Sequence, residues 1–299
     1  NMRVKDNVYL RYRQLKFRCT LLQLAAYYAA EKCFAFLLEN GANPNLEDDI
    51  GLNLMHYAVI GGSNQIIYRI QKLGFTFDIG AISLIVESYR LDLFQWILSV
   101  IQVDLEESFL QTGTILHRAC SSNNILMLLF CIANGVNVNV FDNLELTPLF
   151  YAASNRSIDA INVLLSHKDI DWSLADKFKD TPLHGAAKSF DCDTFIAVMN
   201  HKDADINVKD FRQRTAFRYA ISEGKYDIVR MIISKYGDEV DFTEIDDIGE
   251  NLGFSSSFGN VLSTFILICE CPKVDFDVPR NDGFCLLHTI VSSNLIEFA

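Results

Sequence analysis

Basic residues are outnumbered in this chain: 26 Lys and Arg face 38 Asp and Glu over 299 residues, a net charge of −12. Binding a phosphate backbone needs a basic field over a whole face, so no nucleic-acid partner is expected. Long apolar runs are missing too. The longest uncharged apolar runs, around 125–133 and 261–269, are about half of what a bilayer span requires. No membrane span is expected in this segment, and the first residues lack the apolar core of a secretory signal. The eight cysteines, at 19, 33, 120, 131, 192, 269, 271 and 285, follow no disulfide or zinc-ligand spacing. Most lie in apolar helical patterns, where a free thiol behaves as a small hydrophobe. A reducing compartment follows, the cytoplasm or else the nucleus. Neither a Gly-x-x-x-x-Gly-Lys-Ser/Thr phosphate loop nor a Gly-x-Ser-x-Gly elbow occurs. No catalytic, cofactor-binding or metal-binding residue is expected.

Half of the residues are hydrophobic and only 21% are charged, so material for a core is ample. The informative feature is a repeated phrase. Residues 142–153 read Asp-Asn-Leu-Glu-Leu-Thr-Pro-Leu-Phe-Tyr-Ala-Ala, and residues 176–187 read Asp-Lys-Phe-Lys-Asp-Thr-Pro-Leu-His-Gly-Ala-Ala. A looser copy runs from Asp210 to Ala220. Their threonines, Thr147, Thr181 and Thr215, are 34 residues apart. A threonine at a helix start accepts a first-turn N–H, and Pro148 and Pro182 then fall where a missing N–H is harmless. The pairs Ala152-Ala153 and Ala186-Ala187 give a thin helix face that a neighbouring helix can approach closely. A second helix follows, with its apolar spacing plain in Ile228, Val229, Ile232 and Ile233.

The period, the Thr-Pro-Leu-His phrase and the Ala pair resemble the ankyrin repeat. The resemblance covers residues 20–299 in about nine divergent repeats. They start near 20, 53, 82, 114, 147, 181, 215, 251 and 285, and the last is cut short. The implied fold is an all-α ankyrin-repeat solenoid, with stacked helix-turn-helix units and β-hairpin tips, whose thin core runs between neighbours. The resemblance gives His184 a structural role, bonding backbone across adjacent repeats. From Asn53 to Thr114 is 61 residues, short of two periods. The deficit falls after Gly74-Phe75-Thr76-Phe77-Asp78, where the chain should pass straight into a helix around 82–89 with its hairpin lost or stunted. Residues 1–19 read as a basic N-terminal cap or degenerate repeat, with six bases against Asp6. The competing reading of that opening is a contact with an anionic surface.

The function that the resemblance implies is a non-enzymatic protein–protein interaction scaffold, recognising its partner through the tips and the concave groove. The alternative is the repeat segment of a larger protein, such as a kinase, a ubiquitin-ligase adaptor or a channel, whose activity lies elsewhere. The partner-binding candidates are the positions around each Asp that the repeat phrase leaves free: Phe141, Asn143, Leu144 and Leu146, then Lys177 and Phe178, then Lys209, Phe211, Arg212 and Arg214. Phe141, Phe178 and Phe211 put an aromatic on three successive tips, and aromatics and arginines anchor interfaces. With the lysines and arginines they suit an acidic, partly apolar protein partner. The competing reading has the rings packed on their own tips and the bases solvated.

Overall fold

The computed structural model describes residues 19–100, 104–106, 113–202, 204–258, 262–276 and 278–284. The chain divides into two compact units, Asn1–Val103 and Asp104–Ala299. Helices α1 (Leu21–Tyr27), α2 (Glu31–Glu39), α3 (Leu54–Gly61), α4 (Asn64–Lys72), α5 (Ile79–Glu87) and α6 (Leu91–Val100) form the first. The second holds α7 (Ile115–Ser121), α8 (Ile125–Ala133), α9 (Pro148–Ser154), α10 (Ile158–Leu165) and α11 (Pro182–Lys188). It continues with α12 (Cys192–Met199), α13 (Ala216–Ser222), α14 (Tyr226–Tyr236), α15 (Leu252–Phe258) and α16 (Leu262–Cys269).

Local chemistry starts these helices. Thr20, Thr147 and Thr215 each accept the N–H of the third helical residue, and Asn53, Asp78 and Asn251 do the same. Pro148 and Pro182 occupy the first turn. Helices this short are marginal alone, so packing must hold them. Within each unit the first helix of a pair packs on the first helix of the next: α1 on α3 and α3 on α5, then α7, α9, α11, α13 and α15 in succession. The second helices run alongside, α10 on α12 and α12 on α14. The Ala pairs at 152–153 and 186–187 are fully buried, which is why the first helices can lie so close. Phe34, Ile161, Phe195, Val198, Val229 and Ile232 fill the space behind them. Each such side chain contributes about 1.5–3 kcal/mol by burial. This is the all-α repeat solenoid expected from the sequence.

A polar seam joins neighbouring repeats. In four repeats the third residue of the first helix reaches across to the next repeat's backbone. His117 Nε2 donates to the Leu146 carbonyl at 3.0 Å and His184 Nε2 to the Arg214 carbonyl at 3.1 Å. Each ring's Nδ1 accepts the N–H of its own capping threonine, which leaves the proton on Nε2. Gln23 makes the same crossing to the Leu46 and Leu52 carbonyls. Arg218 does so to the Glu244, Glu250 and Asn251 carbonyls and to Glu244 Oε1. The role implied for His184 is therefore present, and Gln23 and Arg218 fill the same slot in other repeats.

Three expectations need correction or fall outside the described residues. First, no strand forms among the described residues. The tips are turns rather than β-hairpins, with one isolated antiparallel bridge between Lys209 and Thr215. Second, the third repeat's helix begins at Ile79, capped by Asp78, not near residue 82. Only residues 73–78 connect α4 to α5, where residues 40–53 connect α2 to α3, so that tip is missing. Third, the basic opening at 1–18 and the ninth repeat from 285 lie outside the described residues.

Candidate interaction surface

One carboxylate closes each of five tips. Asp48, Asp142, Asp176, Asp210 and Asp246 each use Oδ1 to accept the N–H groups two and four residues on. Each Asp N–H donates back to the carbonyl four residues on, at 2.9–3.1 Å. This self-contained loop satisfies the backbone locally, which is why the tips need no strand ladder. The fourth residue of each turn takes a left-handed backbone: Gly51, Glu145, Lys179, Gln213 and Gly249, with φ between 60° and 86°. The two residues after each Asp project outward as a result.

Three of these aspartates are held from beneath. Tyr57, Tyr151 and Tyr219, each nine residues after a tip Asp, donate their hydroxyls to Oδ2 at 2.7–2.9 Å. Burial, then the Asp142 hydrogen bond, pushes the Tyr151 phenol up to about 12. Burial followed by Asp210 raises Tyr219 as well. Asp210 also pairs with Arg214. Burial alone would raise the Asp210 carboxyl, but the Arg214 and Tyr219 hydrogen bonds overcome it and hold it low.

Against this frame the ten candidates separate. Phe141, Leu144, Phe178 and Phe211 are 45–47% exposed. The Phe178 and Phe211 rings meet at 5.6 Å, and the Phe211 N–H donates to the Phe178 carbonyl at 2.9 Å. Lys177 lies over the Phe178 ring at 5.0 Å and Arg212 over Phe211 at 5.2 Å. Among the described residues neither cation has an acidic partner within ion-pair distance, nor does Lys179 or Lys209. The Arg212 carbonyl accepts the Asp247 N–H at 3.0 Å, so the tips at 176, 210 and 246 form one connected ridge. Phe141 precedes its Asp by one residue whereas Phe178 follows by two, and no ring contact joins them among the described residues. Asn143 is exposed on the separate 142–146 tip.

Leu146 and Arg214 are engaged inside the array. Their carbonyls each accept a histidine from the preceding repeat. The Arg214 guanidinium is tied to Asp210 and Tyr219. Lys209 is half-buried beside Thr215. Two members of the ridge were missed in the sequence. Ile245 and Ile248 are 41% and 47% exposed; Ile248 occupies the same turn position as Phe178 and Leu144. Lining the chain up on the tip aspartates rather than on the aromatics would have found it.

No group of three or more His, Cys, Asp or Glu in the described residues could hold a metal ion. None of their helices is long and apolar enough to cross a membrane. A search of curated proteins finds no match. A family model of the ankyrin repeat matches residues 17–49, and one of ankyrin repeats in three copies matches residues 82–176. Ankyrin repeats are in general protein–protein interaction modules and typically carry no catalytic activity. Those matches, together with the stacked helix pairs in both units, identify ankyrin repeats in this chain.

Proposed function

We propose that the ridge formed by the tips at 176, 210 and 246 binds an acidic, partly apolar segment of a protein partner, and that the chain acts as a non-enzymatic scaffold. The observation that carries this is the half-exposed Phe178–Phe211 pair flanked by Lys177 and Arg212. Half-exposed rings sit beside cations that have no acidic partner among the described residues, within one small area. Such anchors are worth roughly 2 kcal/mol or more each when a partner desolvates them. Leu144 and Ile248 extend the apolar contact to either side, while Leu146 and Arg214 support it from within the array. The partner is a protein rather than nucleic acid, because the basic area is local on a chain of net charge −12. The cytoplasm is the proposed location, in keeping with free thiols.

Affinity capture with the wild-type chain and with Lys177→Glu/Arg212→Glu tests this. Both side chains are exposed, so the fold should persist. Proteins retained by the wild type and lost by the variant, with acidic segments at the contact, would support the placement. An unchanged set of retained proteins would refute it.

A further inference from the structure

The first unit has a notch where the third tip is missing. It is a cavity of about 270 Å³, and Asn45, Leu73, Phe75, Thr76 and Asp78 are among the residues lining it. Gly74 turns the chain there with φ +94° and leaves open space where a side chain would stand.

The polar groups in the notch offer acceptor oxygens with capacity to spare: the Asp78 carboxylate, the Asn45 amide oxygen and the Thr76 hydroxyl. Asp78 Oδ1 accepts the Ala81 N–H at 2.8 Å and faces His56 Nε2 at 3.2 Å. Its Oδ2 has one long contact, the Asn53 amide at 3.3 Å, and the side chain is 48% exposed. The His56 hydrogen bond holds the Asp78 carboxyl below the usual carboxylate range. The side-chain amide of Asn45 and the hydroxyl of Thr76 have no hydrogen-bond partner among the described residues. Leu73 is 49% exposed, and with Phe75 it offers apolar contact to an alkyl stem. The nearest tip adds Glu47 and Asp49, both exposed. Lys72 lies over the Tyr68 ring at 4.5 Å.

We propose that this notch is a binding site for an arginine side chain of a protein partner. Spread acceptors around one carboxylate suit a planar guanidinium with several fixed donors better than a point-charge ammonium. The stem would lie against Leu73 and Phe75. The partner's chain would take the space that a tip fills in other repeats. The charge preference is opposite to that of the ridge at 176, 210 and 246, so this site stands independently of that reading.

Titration of the full chain with N-acetyl-arginine amide, followed by amide NMR, tests it. A single charge-assisted contact is weak, so the range should extend to about 50 mM. The expected result is saturable shifts at Gly74, Thr76 and Asn45, absent with the neutral isostere N-acetyl-citrulline amide. Asp78→Asn keeps the helix cap, since Asn caps as well as Asp, and should weaken binding at least about fivefold. Equal response to both compounds, no saturable shift, or an unaltered Asp78→Asn response would each overturn the proposal. Should Asp78→Asn perturb α5, Asn45→Ala/Thr76→Ala carries the same expectation, because both side chains are exposed and bear no structural bond.

Discussion

Phe150 and Gly185 share one space between two repeats. A side-chain carbon on Gly185 would stand 3.5 Å from the Phe150 ring and 2.7 Å from Ser154 Oγ. Elsewhere the same pair of positions holds a histidine and a tyrosine: the His117 and Tyr151 rings meet edge-on at 5.2 Å, and the His184 and Tyr219 rings at 5.6 Å. Where the slot residue is Phe150, which cannot bond the neighbouring carbonyl, the facing residue is reduced to nothing. Gly185→Ala should therefore destabilise the chain by about 1–3 kcal/mol through overpacking. The cost should shrink in a Ser154→Ala background, where the closest atom is gone. Urea unfolding of the four chains measures it, and equal costs in both backgrounds would refute the contact as the cause.

Arg218 is the buried cation of the seam. It is 2% exposed and meets Glu244 Oε1 at 3.0 Å, Asp246 at 3.4 Å and Ser255 Oγ at 2.6 Å. Arg218→Leu strands Glu244 in the interior, and breaking such a pair costs about 3–5 kcal/mol. Hydrogen exchange should speed most in α13 and α15, the helices it joins. Uniform acceleration across the second unit, or none, would contradict this role.

The tip carboxylates should matter more than their tyrosines. Asp142→Ala removes acceptors for two backbone N–H groups and one hydroxyl. Tyr151→Phe removes one donor, at about 0.5–1.5 kcal/mol. Asp142→Ala should cost at least about twice as much, since bonds to a charged acceptor are the stronger kind. Urea midpoints compare them, and a tyrosine change that costs the more would overturn the ranking.

Stability should depend on pH through the seam histidines. Burial is the main cause holding His117 and His184 below the ordinary histidine value, against the pull of the carbonyls they bond. As pH falls, the unfolded chain therefore takes up protons first. Their contribution is full above the unfolded value near about 6.5 and is lost as pH falls through the lower folded values. Gln23 makes the same crossing without titrating. His117→Gln/His184→Gln should thus lose less stability than the wild type between about pH 7.5 and about pH 5.5. Parallel curves would show that the histidines are not the titrating groups.

The repeat register was legible because it rests on local chemistry. Thr147 and Thr181 cap, Pro148 and Pro182 start the helix, and alanines thin it; these signals need only neighbours in sequence. The missing third tip was legible as a shortage of residues before Thr114, although the helix start at Asp78 was not, because an aspartate cap carries no Thr-Pro signature. The site was read less well. Phe141 looks equivalent to Phe178 only until both are placed relative to their aspartates, where one precedes and the other follows. Arg214 looks like a surface base, yet a partner five residues away, Tyr219, and the carboxylate of Asp210 draw it inward. Such choices depend on which side chains meet within each tip, which the repeat spacing alone does not encode.

The most direct test is a titration of a captured protein partner against the wild-type chain and Phe178→Ala/Arg212→Ala, at low and at high salt. Arg212 is exposed and Phe178 half-exposed, so the thermal midpoint should fall by only a few degrees. The ridge should give a loss of affinity of at least about tenfold in the variant, and wild-type binding that weakens as salt screens the cations. Equal affinity of the two chains at both salt concentrations would contradict it.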